Sequence, residues 1–141
     1  MLLFPNQPVI LMKSVNIRPE KADNPDILSI SADGEIKVWN LEMTLQTFSA
    51  NKNIAKAKVI QGFNAQVPTY FIILLSDDGF VLVYKFDAMG ITKVGYAQTW
   101  VDHIQGKNIP RIADFELVTD NGKSALILVE KTGRLRAYEL E

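Results

Sequence analysis

The chain has one histidine, His103, and it follows an aspartate, Asp102. A histidine with a carboxylate is two thirds of a nucleophilic triad. Adjacent residues of a strand point to opposite faces, however, so sequence adjacency alone cannot make Asp102 and His103 act together, although a serine could still approach the imidazole in space. With a single histidine and no cysteine, few ways remain to build a nucleophile with its base or a transition-metal site. His103 therefore reads as a surface or loop histidine. Carboxylates also pair at Asp77–Asp78 and Glu139–Glu141, which read as a turn and as the last residues of the sequence. The eight glycines are dispersed, without a phosphate-cradling run. Lys52, Lys56 and Lys58 form the densest basic cluster, which reads as a solvated strand face, with a groove for an acidic partner as the alternative. These residues predict no catalytic activity, no cofactor and no metal.

The bulk numbers narrow the class further. With 141 residues and 48% hydrophobic composition, the chain has the length of one domain and can bury a core without metals or disulfides. A formal charge of −1, from 15 basic and 16 acidic residues, lacks the basic excess that neutralises phosphates and argues against nucleic acid as a partner. The absence of cysteine mildly favours an intracellular protein, cytoplasmic or nuclear. The opening MLLFPNQPVILM has no basic residues ahead of its apolar run, and Pro5 to Pro8 cut that run in two, so it reads poorly as a signal peptide. No run approaches the roughly 18 apolar residues of a spanning helix. The sequence predicts a soluble protein.

The elements that must position these side chains come from a repeat. ILSISADGEIKVWNL (27–41), IILLSDDGFVLVYKF (72–86) and LILVEKTGRLRAYEL (126–140) superimpose without a gap on Gly34, Gly79 and Gly133. Two places after each glycine stands an aliphatic residue (Ile36, Val81, Leu135), and four places after it a small or aliphatic one (Val38, Val83, Ala137). Five places after it stands an aromatic residue (Trp39, Tyr84, Tyr138), and seven after it a large apolar one (Leu41, Phe86, Leu140). Each unit reads as strand, turn, strand. The first strand is apolar at successive positions and needs both faces covered. The second alternates, with Leu135 and Ala137, like Ile36 and Val38, on the drier face. At the turns, Asp33–Gly34 and Asp78–Gly79 supply residues that tolerate positive φ, while Thr132–Gly133 keeps only the glycine.

The glycines are 45 and 54 residues apart, room for four strands per unit. Further strands are predicted ahead of each hairpin, at Val9–Ile17, Ile54–Ile60 and Pro110–Phe115, where the small Ala55, Ala57 and Ala113 suit an innermost strand. Outermost strands are predicted at Met43–Phe48 and Ile91–Thr99, and loops at Arg18–Asp26, Phe63–Thr69 and Glu116–Lys123. Residues 51–62 hold Ala and Lys in helical proportions, but the alternation of Ala55, Ala57 and Val59 favours a strand. Because Trp39, Tyr84 and Tyr138 recur at one repeat position, they read as packing between neighbouring sheets. Trp100 falls outside the pattern and is the aromatic most available to a partner.

The unit SISADGEIKVWNL resembles the WD40 repeat, with Asn40 where the family has Asp. SDDGFVLVYKF keeps the Ser-Asp-Asp-Gly turn with Tyr84–Lys85 for Trp-Asp, and the third unit keeps Gly133, the hydrophobic pattern and Tyr138. The family's Gly-His pair, whose histidine joins an Asp, Ser and Trp network, has no counterpart, so the resemblance is to a divergent member. Residues 112–138 are also similar in order to the FG-GAP type of propeller repeat, but Asp114, Glu116 and Asp120–Asn121–Gly122 are too spread for its calcium loop.

The resemblance implies an all-β fold of WD40-like β-propeller blades, each of four antiparallel strands. Three blades lie in this single segment of residues 1–141, at about 9–48, 54–99 and 110–141, with Met1–Phe4 available as a closing strand. Its structural motif residues are Asp33, Gly34, Trp39, Asp78, Gly79, Tyr84, Gly133 and Tyr138. Propellers close with four to eight blades, so the ring would be completed by a second copy as a six-bladed homodimer, by another chain, or by residues outside this sequence. The implied function is a non-catalytic protein–protein interaction scaffold in a multiprotein complex, with other proteins as partners and no membrane. The alternative is an oligomeric, lectin-like propeller that binds a small ligand or carbohydrate between blades.

Overall fold

The computed structural model describes residues 8–17, 26–40, 44–62, 69–120 and 123–140. The predicted closing strand Met1–Phe4, nearly all of the loops at Arg18–Asp26 and Phe63–Thr69, and Leu41, Asn121, Gly122 and Glu141 lie outside them. The described residues form thirteen strands and no helix, arranged as antiparallel, open sheets.

The first sheet is β1 (Val9–Val15), β2 (Asp26–Ser31), β3 (Glu35–Trp39) and β4 (Thr44–Ser49), in that order. The second is β5 (Ile54–Gln61), β6 (Tyr70–Ser76), β7 (Phe80–Asp87) and β8 (Gly90–Gln98), so the strand reading of residues 51–62 holds over the helical one. A two-stranded hairpin of β9 (Val101–Ile104) and β10 (Lys107–Pro110) follows. The last sheet is β11 (Ile112–Asp120), β12 (Lys123–Glu130) and β13 (Leu135–Leu140).

Backbone geometry repeats as closely as the sequence. Gly34, Gly79 and Gly133 have φ of 87°, 91° and 92°, and each amide donates to the carbonyl three residues back, that of Ser31, Ser76 or Glu130, at 3.0, 3.1 and 2.8 Å. The turn is thus three residues long with glycine at its left-handed position. Asp33 and Asp78 do not adopt positive φ, contrary to the sequence expectation. Their carboxylates work instead as acceptors: Asp33 Oδ1 takes the Glu35 amide at 3.3 Å, and Asp78 takes the Ser76 hydroxyl.

A second bond recurs beside the first. The amide two residues before each glycine (Ala32, Asp77, Lys131) donates to the carbonyl just ahead of the inner strand (Pro8, Asn53, Arg111), at 2.8, 2.9 and 2.8 Å. Immediately after, each inner strand carries a register shift, at Val9/Leu11, Ile54/Lys56 and Ile112/Asp114. Ala55 and Ala113 are the extra residues of these bulges and are exposed, not crowded inward as their size suggested.

Packing explains the two-faced apolar strands. Ile72 and Leu74 of β6 join one buried cluster with Leu28, Ile30, Ile36 and Val38 of the first sheet. Ile73 and Leu75, on the opposite face of β6, join another with Phe115, Leu126 and Leu128 of the third. The second sheet is therefore sandwiched. The third sheet departs from the predicted pattern in two respects. Its expected loop Glu116–Lys123 is mostly strand, because β11 pairs with β12 along its whole length. Leu135 and Ala137, expected on a dry face, are exposed, because no sheet among the described residues covers them.

A β-carbon at Gly34 would stand 2.5 Å from the Lys52 carbonyl oxygen, and one at Gly79 2.8 Å from that of Thr99, whereas one at Gly133 meets nothing within 4 Å. A left-handed non-glycine residue costs about 1–2 kcal/mol by itself. Gly34→Ala and Gly79→Ala are therefore expected to lower stability by more than that, and Gly133→Ala by about that amount alone. Urea denaturation of the three variants checks the ranking.

Candidate interaction surface

The motif aromatics occupy one position but different surroundings. Tyr84 is buried between the first and second sheets, edge-on to Phe48 with ring centroids 5.1 Å apart. Tyr138 packs against the cluster between the second and third. Each faces the preceding sheet. Trp39 faces the same way, but no sheet among the described residues precedes its own. It therefore does not pack between sheets as expected, but lies half-buried on an outer face, its indole Nε1 donating to Ser29 Oγ at 2.8 Å. Where the aromatic is tyrosine, the place of Ser29 is taken by Leu74 or Leu128. The hydroxyl is thus present only where an indole N–H needs an acceptor.

The lysine cluster is not a free basic face. Lys52 Nζ pairs with Asp78 at 2.8 Å and stands 4.1 Å from the Phe80 ring centroid, tying the link between sheets to the second turn. Lys56 and Lys58 both reach Asp114 Oδ1, at 3.0 and 2.9 Å, and Lys58 also reaches Glu116 at 3.4 Å. Their ammonium groups donate as well to the carbonyls of Ala113 and Phe115, at 3.2 and 2.9 Å. Lys13 of β1 does the same to Val59 of β5 at 3.3 Å. Lysines therefore stitch each inner strand to the next, and the acidic partners of Lys52, Lys56 and Lys58 are carboxylates of the chain itself.

Charge states follow from this geometry. Hydrogen bonds from Lys58 and then Lys56, helped by the Phe115 amide, hold the Asp114 carboxyl well below its ordinary range. Burial opposes ionisation at Asp78, but bonds from Lys52 and Ser76 outweigh it and lower its pKa. The bond to Asp114 raises the Lys58 pKa against the opposing effect of burial. Among the described residues, no group of three or more His, Cys, Asp or Glu is placed to hold a metal ion.

The β9–β10 hairpin is what sequence reasoning missed. It accounts for the longer glycine spacing before the third unit, and its signal was Gly106, which forms the turn with Gln105; their φ values of 78° and 53° fit a two-residue type I′ turn. His103 lies exposed on it, opposite Asn108. Asp102 is bonded not to His103 but to Arg111, at 2.8 Å. Beside this pair a cleft of about 440 Å³ is lined by Glu130, Lys131, Thr132 and Arg134 as well. Trp100, just before β9, is 63% exposed, and Ile104 on the hairpin is exposed too.

No protein-family model matches the chain, and no curated protein matches it. Among solved structures, it is similar to the complex of the fission yeast SREBP-SCAP binding domains, at 13% identity with a TM-score of 0.54 over 96% of this chain. The chain spans 35% of that chain's length. A looser likeness, to BBS1N in complex with ARL6DN, has 15% identity and a TM-score of 0.43, covering 98% of this chain and 53% of that one. The first likeness shows the all-β fold.

Two measurements check the charge and indole assignments. Carboxylates held below their ordinary pKa stabilise the fold above about pH 4 and lose that contribution as pH falls through their folded-state values. Asp114→Asn is expected to flatten the acid limb of the stability curve, by no more than about 1 kcal/mol because its side chain is half exposed. Acid titration followed by circular dichroism reads it. Ser29→Ala leaves the Trp39 N–H without its acceptor and is expected to cost about 1 kcal/mol, with a change in Trp39 fluorescence visible in a Trp100→Phe background.

Proposed function

We propose that the chain is a WD40-like β-propeller segment that serves as a non-catalytic protein–protein interaction scaffold within a multiprotein complex. The observation that carries this reading is the threefold recurrence of one turn, one cross-turn backbone bond and one inner-strand bulge at equivalent positions. The Trp39–Ser29 bond supports it as well, since it supplies two members of the family's hydrogen-bond network in the unit that best resembles the repeat. Each unit is read as a blade, four-stranded in the first two and three-stranded in the third. The ring is completed by a second copy, by another chain or by more of the same polypeptide.

The similar fission yeast structure is described as that of binding domains in a complex, in keeping with a protein-binding role. A non-catalytic role is supported by the engagement of Asp102 with Arg111 and of Asp114 with lysines, which commits both carboxylates to ion pairs. The lectin-like alternative is weaker. Pockets repeated between blades need exposed aromatics at a repeated position, and here the repeated Tyr84 is buried in packing. The intracellular setting inferred from composition belongs to the same proposal.

The surface proposed to meet a protein partner is the β9–β10 hairpin, because Trp100 and Ile104 expose apolar area beyond what its own packing uses. Quantitative cross-linking mass spectrometry on the tagged chain in cells tests this. The expected result is a stoichiometric protein partner cross-linked near the hairpin and reduced about tenfold or more by Trp100→Glu, with the melting temperature unchanged. Recovery of no stoichiometric partner, together with saccharide binding by calorimetry, would overturn it in favour of the lectin-like reading.

A further inference from the structure

The sheets stack with one polarity. In both contacts between sheets, the earlier sheet presents the face holding the residues two and four places after the turn glycine, and the later one presents the face holding the aromatic. Among the described residues there are two such contacts, first sheet to second and second to third, and each end of the stack carries half of a contact. At the trailing end, Leu135 is 66% exposed, although its counterparts Ile36 and Val81 are fully buried. Val118 is 49% exposed there, where its counterpart Val15 is buried. At the leading end, Met12 is 66% exposed, and its counterpart Phe115 is buried.

We infer that the trailing face of one chain takes the leading face of a second copy, and that the contact is made twice, head to tail, to close a two-chain ring. The inference rests on reading the three sheets as consecutive blades. Its physical basis is that the missing interface is the one the chain already makes internally, so a copy of this chain presents the matching half without any new shape. Charge favours the same occupant. The position that holds Lys58 in the second sheet holds Glu116 in the third and Lys13 in the first, judged by their pairing with Ile73, Ile127 and Leu28. The Lys58–Glu116 ion pair between the second and third sheets is then matched, with signs exchanged, by Glu116 against Lys13 of the second copy. The pair across the new contact is unlike and attractive, whereas the first and second sheets hold two lysines, Lys13 and Lys58, at this place. Both contacts are heterologous, and two copies related by a two-fold axis satisfy all four faces.

Sedimentation equilibrium on the full chain and two variants tests the inference. Wild type is expected at twice the 15.8 kDa chain mass. Leu135→Asp and Met12→Asp are each expected at the single-chain mass, because either one spoils both contacts of a ring built from identical copies. An equimolar mixture of the two is expected to regain a two-chain species, held by the one contact whose two faces are both unaltered. Both positions are exposed in the single chain, so unchanged melting by circular dichroism shows that the loss is not unfolding. A wild type of single-chain mass, a dimer that survives either substitution, or a mixture that stays at single-chain mass would each overturn the inference. A single-chain wild type that still captures a protein partner through the hairpin would leave the interaction scaffold standing and remove only the pairing of copies.

Discussion

Four successive apolar residues, Ile72 to Leu75, run through the middle of the second sheet, and a strand turns successive side chains to opposite faces. Keeping all four from water requires a partner on each side of one sheet. Most of the architecture follows from that requirement: the first sheet supplies one cover and the third the other. The same turn and the same inner-strand bulge recur in each of the three sheets. Ile54, whose amide bonds the Ala32 carbonyl at 2.7 Å, carries the chain from one sheet to the start of the next within a few residues.

Much of this was legible in the sequence because it is local. Three glycines in register, runs of four apolar residues and alternation after the turn are properties of neighbouring residues, and they fixed hairpins, strand order and turn positions. What escaped depends on residues distant in the chain. Nothing near Lys58 announces that Asp114 will stand beside it, and nothing near Leu135 announces that its counterparts are covered and it is not. Trp39 departs from the expected packing between sheets for the same reason: no sheet among the described residues lies against its face. The β9–β10 hairpin is signalled by Gly106 alone, because Gln105, the other residue of its turn, takes a left-handed conformation that its residue type does not favour.

The inner edges show how charge is used in this fold. Lysines that read, in sequence, as a solvated strand face are engaged by carbonyls and carboxylates of the next strand. A backbone carbonyl at a sheet edge has no ladder partner, and an ammonium group on a flexible stem supplies one without demanding exact geometry. Asp102 shows the same economy at the hairpin, where a carboxylate beside the only histidine serves to anchor Arg111.

The last strand, β13, has an edge with no fourth strand beside it among the described residues. A long apolar edge of that kind would be a template for runaway strand addition, the first step towards amyloid. Along β13, Arg136 and Glu139 interrupt the apolar residues, and Arg134 stands just ahead of it. Their charges make indiscriminate edge-to-edge pairing unfavourable while leaving the faces of the sheet free to pack. The alternation that identified this strand is thus also a safeguard against indiscriminate pairing along its edge.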